Sequence, residues 1–140
     1  MTFQLISATG VKFEGEAYEV LTPTQGGTIA VFEDHMPLIS AGAPGVLSIR
    51  KKAADRDEAM EHFAVYGGIL QVDGKSARFI TDEVTEPHEV SEAESQKALG
   101  RAQELVAGAG SRDELHEARR IQVGHEVRLH LAQLKHRHHQ

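Results

Sequence analysis

Ile69-Leu-Gln-Val-Asp-Gly-Lys-Ser-Ala-Arg-Phe-Ile-Thr81 is the stretch that decides the fold. Two short apolar runs, 69–72 and 77–81, flank Asp73-Gly74. An Asp-Gly pair between strands predicts a tight hairpin, because both of its central positions need positive φ. Working outward, the same period-2 alternation recurs in short pieces over 3–7, 11–14, 17–21, 28–32, 46–50 and 62–66. Turn signals separate them: Thr9-Gly10, Gly26-Gly27, Ala43-Pro44-Gly45 and Gly67-Gly68. Closely spaced short strands predict a β-sandwich or barrel over residues 1–87. The charged segment 51–61 reads as an exposed loop.

Beyond Pro87 the composition changes. Residues 1–87 carry 7 Lys/Arg against 13 Asp/Glu, and residues 88–140 carry 8 against 8 with seven of the nine His. All four Pro lie in the first part. The boundary therefore falls near residues 85–88, giving units 1–87 and 88–140. Two capping boxes, Ser91-Glu-Ala-Glu94 and Ser111-Arg-Asp-Glu114, open two predicted helices. Acidic first turns suit the helix dipole. The first helix should run from Glu92 to Ala107 and stop at Gly108-Ala-Gly110; the second should run from about 112 to 135. So short a connection makes an antiparallel helical hairpin.

The second helix carries two apolar stripes. Leu115, Ala118, Ile121, Leu129 and Ala132 form one; Val123, Val127, Leu131 and Leu134 form the other. One stripe should pack on Ala98, Leu99, Ala102, Leu105 and Val106 of the first helix. The other needs the sandwich of the same chain or another subunit.

Chemistry is hard to find in this chain. It has no Cys, which excludes disulfides, thiolate chemistry and Cys-bound metal. A net charge of −6 fits nucleic acid poorly. Neither a phosphate-binding Gly loop nor a Gly-x-Ser-x-Gly elbow occurs. His125 and His130 are five residues apart, which turns their rings about 140° from each other on a helix, so they cannot share a zinc ion. His35 reads as a turn residue bonded to local backbone. The tail His136-Arg-His-His139 reads as a solvated end with at most stray metal affinity. No apolar run approaches the ~18 residues of a membrane span. The opening Met1-Thr-Phe-Gln-Leu5 does not predict a secretion signal or an Arg-rich transit peptide. Such a chain reads as an interaction or regulatory subunit rather than an enzyme. The alternatives are a stand-alone adaptor or a metal- or sugar-binding sandwich module.

Several stretches, taken in order, carry a resemblance. They are Phe3-Gln-Leu-Ile-Ser-Ala8, Gly15-Glu-Ala-Tyr-Glu-Val-Leu-Thr-Pro-Thr24, Gly26-Gly-Thr-Ile-Ala-Val-Phe-Glu-Asp-His-Met-Pro-Leu-Ile39, Pro44-Gly-Val-Leu-Ser-Ile49 and Phe63-Ala-Val-Tyr-Gly-Gly-Ile-Leu-Gln-Val72. They resemble the epsilon subunit family of bacterial F-type ATP synthases, called delta in mitochondria. The helical part is similar in length, pattern and position. This resemblance implies a ten-stranded sandwich followed by a helical hairpin. It implies a non-catalytic rotor subunit on the cytoplasmic face of a bacterial inner membrane, or the stromal side of a thylakoid. The sandwich would bind the gamma subunit and the c-ring, with Glu33, Asp34, His35, Pro37 and Leu38 near those contacts. The helices would extend toward the catalytic alpha and beta subunits and block ATP hydrolysis, with Arg119, Arg120, Arg128 and Lys135 meeting acidic segments there. Acid would charge His116, His125 and His130 and strengthen that attraction. Some members bind ATP through Ile/Leu-Asp-x-x-Arg-Ala. Here Val90-Ser-Glu-Ala-Glu-Ser95 stands in that place, with Ser91 for the Asp and Glu94 for the Arg, so ATP binding by this route is expected to be weak or absent.

Overall fold

The computed structural model describes residues 1–138, with side chains through Lys135. The strands are β1 (Thr2–Ser7), β2 (Gly10–Glu16), β3 (Glu19–Thr24), β4 (Gly27–Phe32), β5 (Leu38–Arg50), β6 (Glu61–Val72), β7 (Ser76–Ile80) and β8 (Val84–Thr85). Two helices follow, α1 (Glu92–Ala107) and α2 (Arg112–His138). The strand order is β2-β1-β7-β6-β5-β3-β4, with β8 on β6. Among the described residues only β1 and β7 pair parallel. Phe3, Leu5 and Phe79 from one end of this order share one core cluster with Val20 and Val31 from the other. The sheet is therefore folded over on itself as a sandwich, and its inner face is the core.

The fold-over is made in β5 and β6. These strands pair in one register from Leu38↔Val72 to Ile49↔Glu61. Along β6 the positions in the sandwich core change from odd (Phe63, Val65) to even (Leu70, Val72) across Gly67-Gly68. Those glycines have φ of +107° and +144°, which reverses the alternation without ending the ladder. Along β5 the same change separates Leu38 from Leu47 and Ile49. Reading 62–66 and 69–72 as two strands, with a turn between them, is thus corrected: they are halves of one bent strand. The first half of β5 and the two-residue β8 had no signal of their own. Eight strands result, and counting the halves of β5 and β6 separately recovers the ten implied by the resemblance.

The decisive hairpin forms between β6 and β7, with one correction. Its central pair is Gly74-Lys75 rather than Asp73-Gly74. Only Gly74 has positive φ (+97°), as in a type II′ turn with Gly first. Asp73 instead uses its carboxylate to accept from the Ser76 amide at 2.8 Å, the Ser76 hydroxyl at 2.9 Å and the Lys75 amide at 3.2 Å, and these bonds, those from Ser76 above all, hold it below its ordinary carboxylate range.

Both helices start where the Ser caps stand. Ser91 Oγ accepts from the Glu94 amide at 3.2 Å, and Ser111 Oγ from the Glu114 amide at 3.1 Å. The second box closes differently from expectation: Glu114 accepts from the Gly110 amide at 2.8 Å. Helix α2 continues to His138; the side chains of the tail His136-Arg-His-His139 lie outside the described residues. Small Ala102 and Ala118 are buried where α1 and α2 pack together. Val127, Leu131 and Ala132 pack on Ala64, Val90, Val46 and Tyr66. The chain's own sandwich therefore covers this stripe. Ala132 belongs to that joint rather than to the stripe facing α1.

Gly42 and Gly68 are paired across β5 and β6, and the Phe79 ring lies on both. A Cβ on Gly68 would stand 2.9 Å from Phe79 Cε1 and press on the Ile80 carbonyl. Gly68→Ala is therefore expected to lower stability by at least about 2 kcal/mol, combining left-handed strain and overpacking. In Gly100→Ala the new methyl meets nothing within 4 Å; in mid-helix it should be neutral or stabilising. Urea unfolding of both variants checks this, and an unchanged midpoint for Gly68→Ala contradicts it.

Candidate functional site

The segment between β4 and β5 forms a tight turn against the β6–β7 hairpin. Asp34 has φ of +65°, a conformation Asp tolerates through its short polar side chain. Its amide donates to the Gly74 carbonyl at 2.7 Å, and its carboxylate pairs with Lys75 Nζ at 2.8 Å. The hydrogen bond to Asp34 raises the Lys75 pKa. Both partners are exposed, so solvent screens this pair and it adds little to stability. His35 donates its amide to Phe32 O at 3.2 Å, and its Nδ1 lies 2.8 Å from the Met36 carbonyl. A carbonyl only accepts, so Nδ1 carries the proton, and His35 sits as a turn residue. Glu33 and Pro37 are exposed and Leu38 is half-buried. Met36 and Ile39, at 78% and 77% exposed, are the apolar tip of this end of the sandwich.

A larger apolar feature lies on the outer face next to that tip. Val11 pairs with Ile6, Ile6 with Ile80, Ile80 with Ile69, and Ile69 with Ala41. One cross-strand row thus runs over β2-β1-β7-β6-β5. Val11, Ile69 and Ile80 are 53%, 47% and 37% exposed. Contiguous exposed apolar surface marks an interaction site. Sequence reasoning missed this row because its members are scattered from 6 to 80. The available signal was that Ile6, Ile69 and Ile80 stand at outward positions where polar residues are expected.

The opposite outer face carries α2. Arg128 lies over the Tyr66 ring at 5.1 Å, and Lys135 Nζ donates to the Val90 carbonyl at 3.3 Å. Arg120 makes a two-pronged pair with Glu117 at 2.7 and 3.2 Å, whose hydrogen bond lowers the Glu117 pKa. Arg119 is exposed. The four basic residues singled out from the sequence therefore divide: Arg128 and Lys135 face their own sandwich, while Arg119 and Arg120 border a cleft of about 550 Å³ between α2, Tyr66 and Glu83. Ser91 is engaged as a helix cap and Glu94 is exposed on α1.

Ser48 Oγ and His62 Nδ1 are 2.7 Å apart as cross-strand partners. Ser48 is only 7% exposed, and its hydroxyl is engaged by His62. Among the described residues no three His, Asp or Glu side chains converge on a common point that could hold a metal ion. No helix of the described residues is long and apolar enough to cross a membrane.

Comparison with known proteins agrees with this geometry. Residues 1–87 match the family model of the ATP synthase delta/epsilon chain, beta-sandwich domain. The chain is 32% identical over 111 residues to an ATP synthase epsilon chain of Bordetella avium, covering 79% of this chain and 76% of the relative. With the epsilon chain of Latilactobacillus sakei it shares 24% identity over 123 residues, 88% and 83% of the two chains. Among solved structures, a chain of the Euglena gracilis mitochondrial ATP synthase superposes with a TM-score of 0.77 at 17% identity, over 89% of this chain and 76% of that one. A chain of the Tetrahymena thermophila mitochondrial ATP synthase central stalk and c-ring superposes with a TM-score of 0.63 at 14% identity, covering 94% and 96%. At these identities the structural likeness speaks for the fold alone.

Proposed function

The chain belongs to the ATP synthase delta/epsilon family, as an epsilon-type subunit, and on that footing we propose that it is a non-catalytic rotor subunit whose helices restrain ATP hydrolysis. The observation that carries this reading is the division of the sandwich into two unlike outer faces. One is bare and apolar, along the row Val11, Ile6, Ile80 and Ile69. Its end at Ala41 lies on the strand that leads out of the turn holding Glu33, Asp34, His35, Pro37 and Leu38. We assign the row to the gamma subunit and the turn to the c-ring side. The complex would lie against the cytoplasmic face of a bacterial inner membrane, or the stromal face of a thylakoid, with membrane contact only through the assembly.

The other face holds the hairpin through a small joint. Val127, Leu131 and Ala132 meet Val46, Ala64 and Tyr66. A joint of this size can be exchanged for another partner, which supports a hairpin that leaves the sandwich and reaches the alpha and beta subunits. Arg119 is available for acidic segments there at once, and Arg120 once it exchanges its partner Glu117. Arg128 and Lys135 become available only on release.

The test is ATP hydrolysis by an F1 complex lacking this subunit, after adding back either the full chain or a version ending at residue 87. Both should bind, and only the full chain should inhibit. Binding by both without inhibition removes the brake, and failure of both to bind gamma removes the rotor assignment. The Ser91 and Glu94 replacements leave no cation for a phosphate at that motif and add a carboxylate beside it. Titration with millimolar ATP by calorimetry should accordingly give no saturable heat. Clear saturation would overturn that part of the proposal.

A further inference from the structure

The edge of the helix–sandwich joint is held by a chain of three groups. Tyr66 is fixed by its hydroxyl, 2.7 Å from Thr85 Oγ1. The Arg128 guanidinium lies over the Tyr66 ring at 5.1 Å. Arg128 reaches that place by folding back over Gly124, where an added Cβ would stand 3.4 Å from its Nη1. The same Nη1 lies 3.0 Å from His125 Nδ1. A guanidinium only donates, so this bond requires an unprotonated Nδ1.

We propose that His125 is an acid-released latch: its neutral ring holds Arg128 on Tyr66 and so holds α2 on the sandwich, and a proton on Nδ1 frees the hairpin.

Every element around His125 bears on its charge. Arg128 faces it from its own helix, with His116, Arg119 and Arg120 farther along the cleft. From α1 come Arg101 and Glu104. From the sandwich come Tyr66 and Glu83. Cations thus outnumber the two carboxylates. Burial, then Arg128, then Arg101 hold the imidazole below its ordinary value of 6.5. The sign follows directly. A pKa lowered in the docked state means that the released state binds the proton better. Docking is fully present above about pH 6.5 and is lost as pH falls through the lower docked value. Each unit between the two values shifts the docking constant about tenfold. Arg128, displaced from Tyr66, joins Arg119 as an exposed cation. The latch is a property of the isolated chain. Its effect on hydrolysis rests on the rotor reading, so a failed add-back assay leaves the latch standing.

The chain has no native Cys, so Asp82→Cys next to the cleft accepts a single nitroxide. Solution NMR then reads the broadening of α2 amides over residues 121–128 in the full chain from pH 8 to 5.5. The broadening should be present at pH 8 and fade progressively as pH falls below about 6.5. With His125→Gln, which stays neutral and can still accept from Arg128, it should persist to pH 5.5. Arg101→Gln, which brings the docked value nearer the released one, should shrink the acid loss, so that more of the broadening survives at pH 5.5. Broadening that survives acid in the unaltered chain overturns the proposal, as does its parallel loss in His125→Gln. Should His125→Gln fail to dock at pH 8, Arg101→Gln decides alone, and an acid loss of broadening no smaller than in the unaltered chain overturns the latch.

Discussion

Phe79 rests on Gly42 and Gly68, where the two longest strands change the side they turn inward. Any side chain at either position would displace the ring. The room left by these glycines lets one sheet fold into two layers around Phe3, Leu5, Leu47 and Ile49. Folding in this way makes one inner face and two outer ones. Helix α2 covers the first outer face over Val46, Ala64 and Tyr66. The second keeps its isoleucines in solvent. The placement of the turn at 33–38 follows as well, because the bend brings the start of β5 beside the β6–β7 hairpin.

The two packing layers differ in strength. The sandwich core is a closed cluster with aromatic rings, knit by continuous ladders. The helix joint rests on a few aliphatic groups. A fully buried Val or Leu is worth about 1.5–3 kcal/mol before the cost of ordering is subtracted. A joint of two or three such residues is therefore of the size that one lost hydrogen bond and one added charge can tip. The hairpin adds little to its own stability, since α1 buries mainly Ser95 and Ala102. Its docking can then respond to conditions while the sandwich stays folded.

What was legible in the sequence was whatever depends on neighbours along the chain. The Ser caps and Glu partners at 91–94 and 111–114 set the helix starts, because capping bonds span three residues. The hairpin at 73–76 was visible from its Gly, although the Gly occupies the first central position and the Asp works through its side chain. Continuity of β6 was hidden because Gly67 and Gly68 reverse the alternation, which looks like a break when read along the chain. The apolar row was hidden for a different reason: cross-strand register joins residues 6, 11, 69 and 80, and no local window contains them. The direction of Arg128 and Lys135 was equally out of reach, since it depends on where α2 docks. The reading of His35 as a turn residue needed only its neighbours.

The central claim is that the bare row, not the helix-covered face, receives the neighbouring stalk subunit. The most direct measurement is the affinity of a gamma-containing complex, depleted of this subunit, for the full chain carrying Ile69→Asp, beside Arg119→Ala on the other face. A buried interface residue of this kind costs about 2 kcal/mol or more when lost, so Ile69→Asp should weaken binding about thirtyfold or more. Arg119→Ala should bind gamma as the unaltered chain does. Undiminished binding by Ile69→Asp, with its sandwich intact by NMR, would contradict the account.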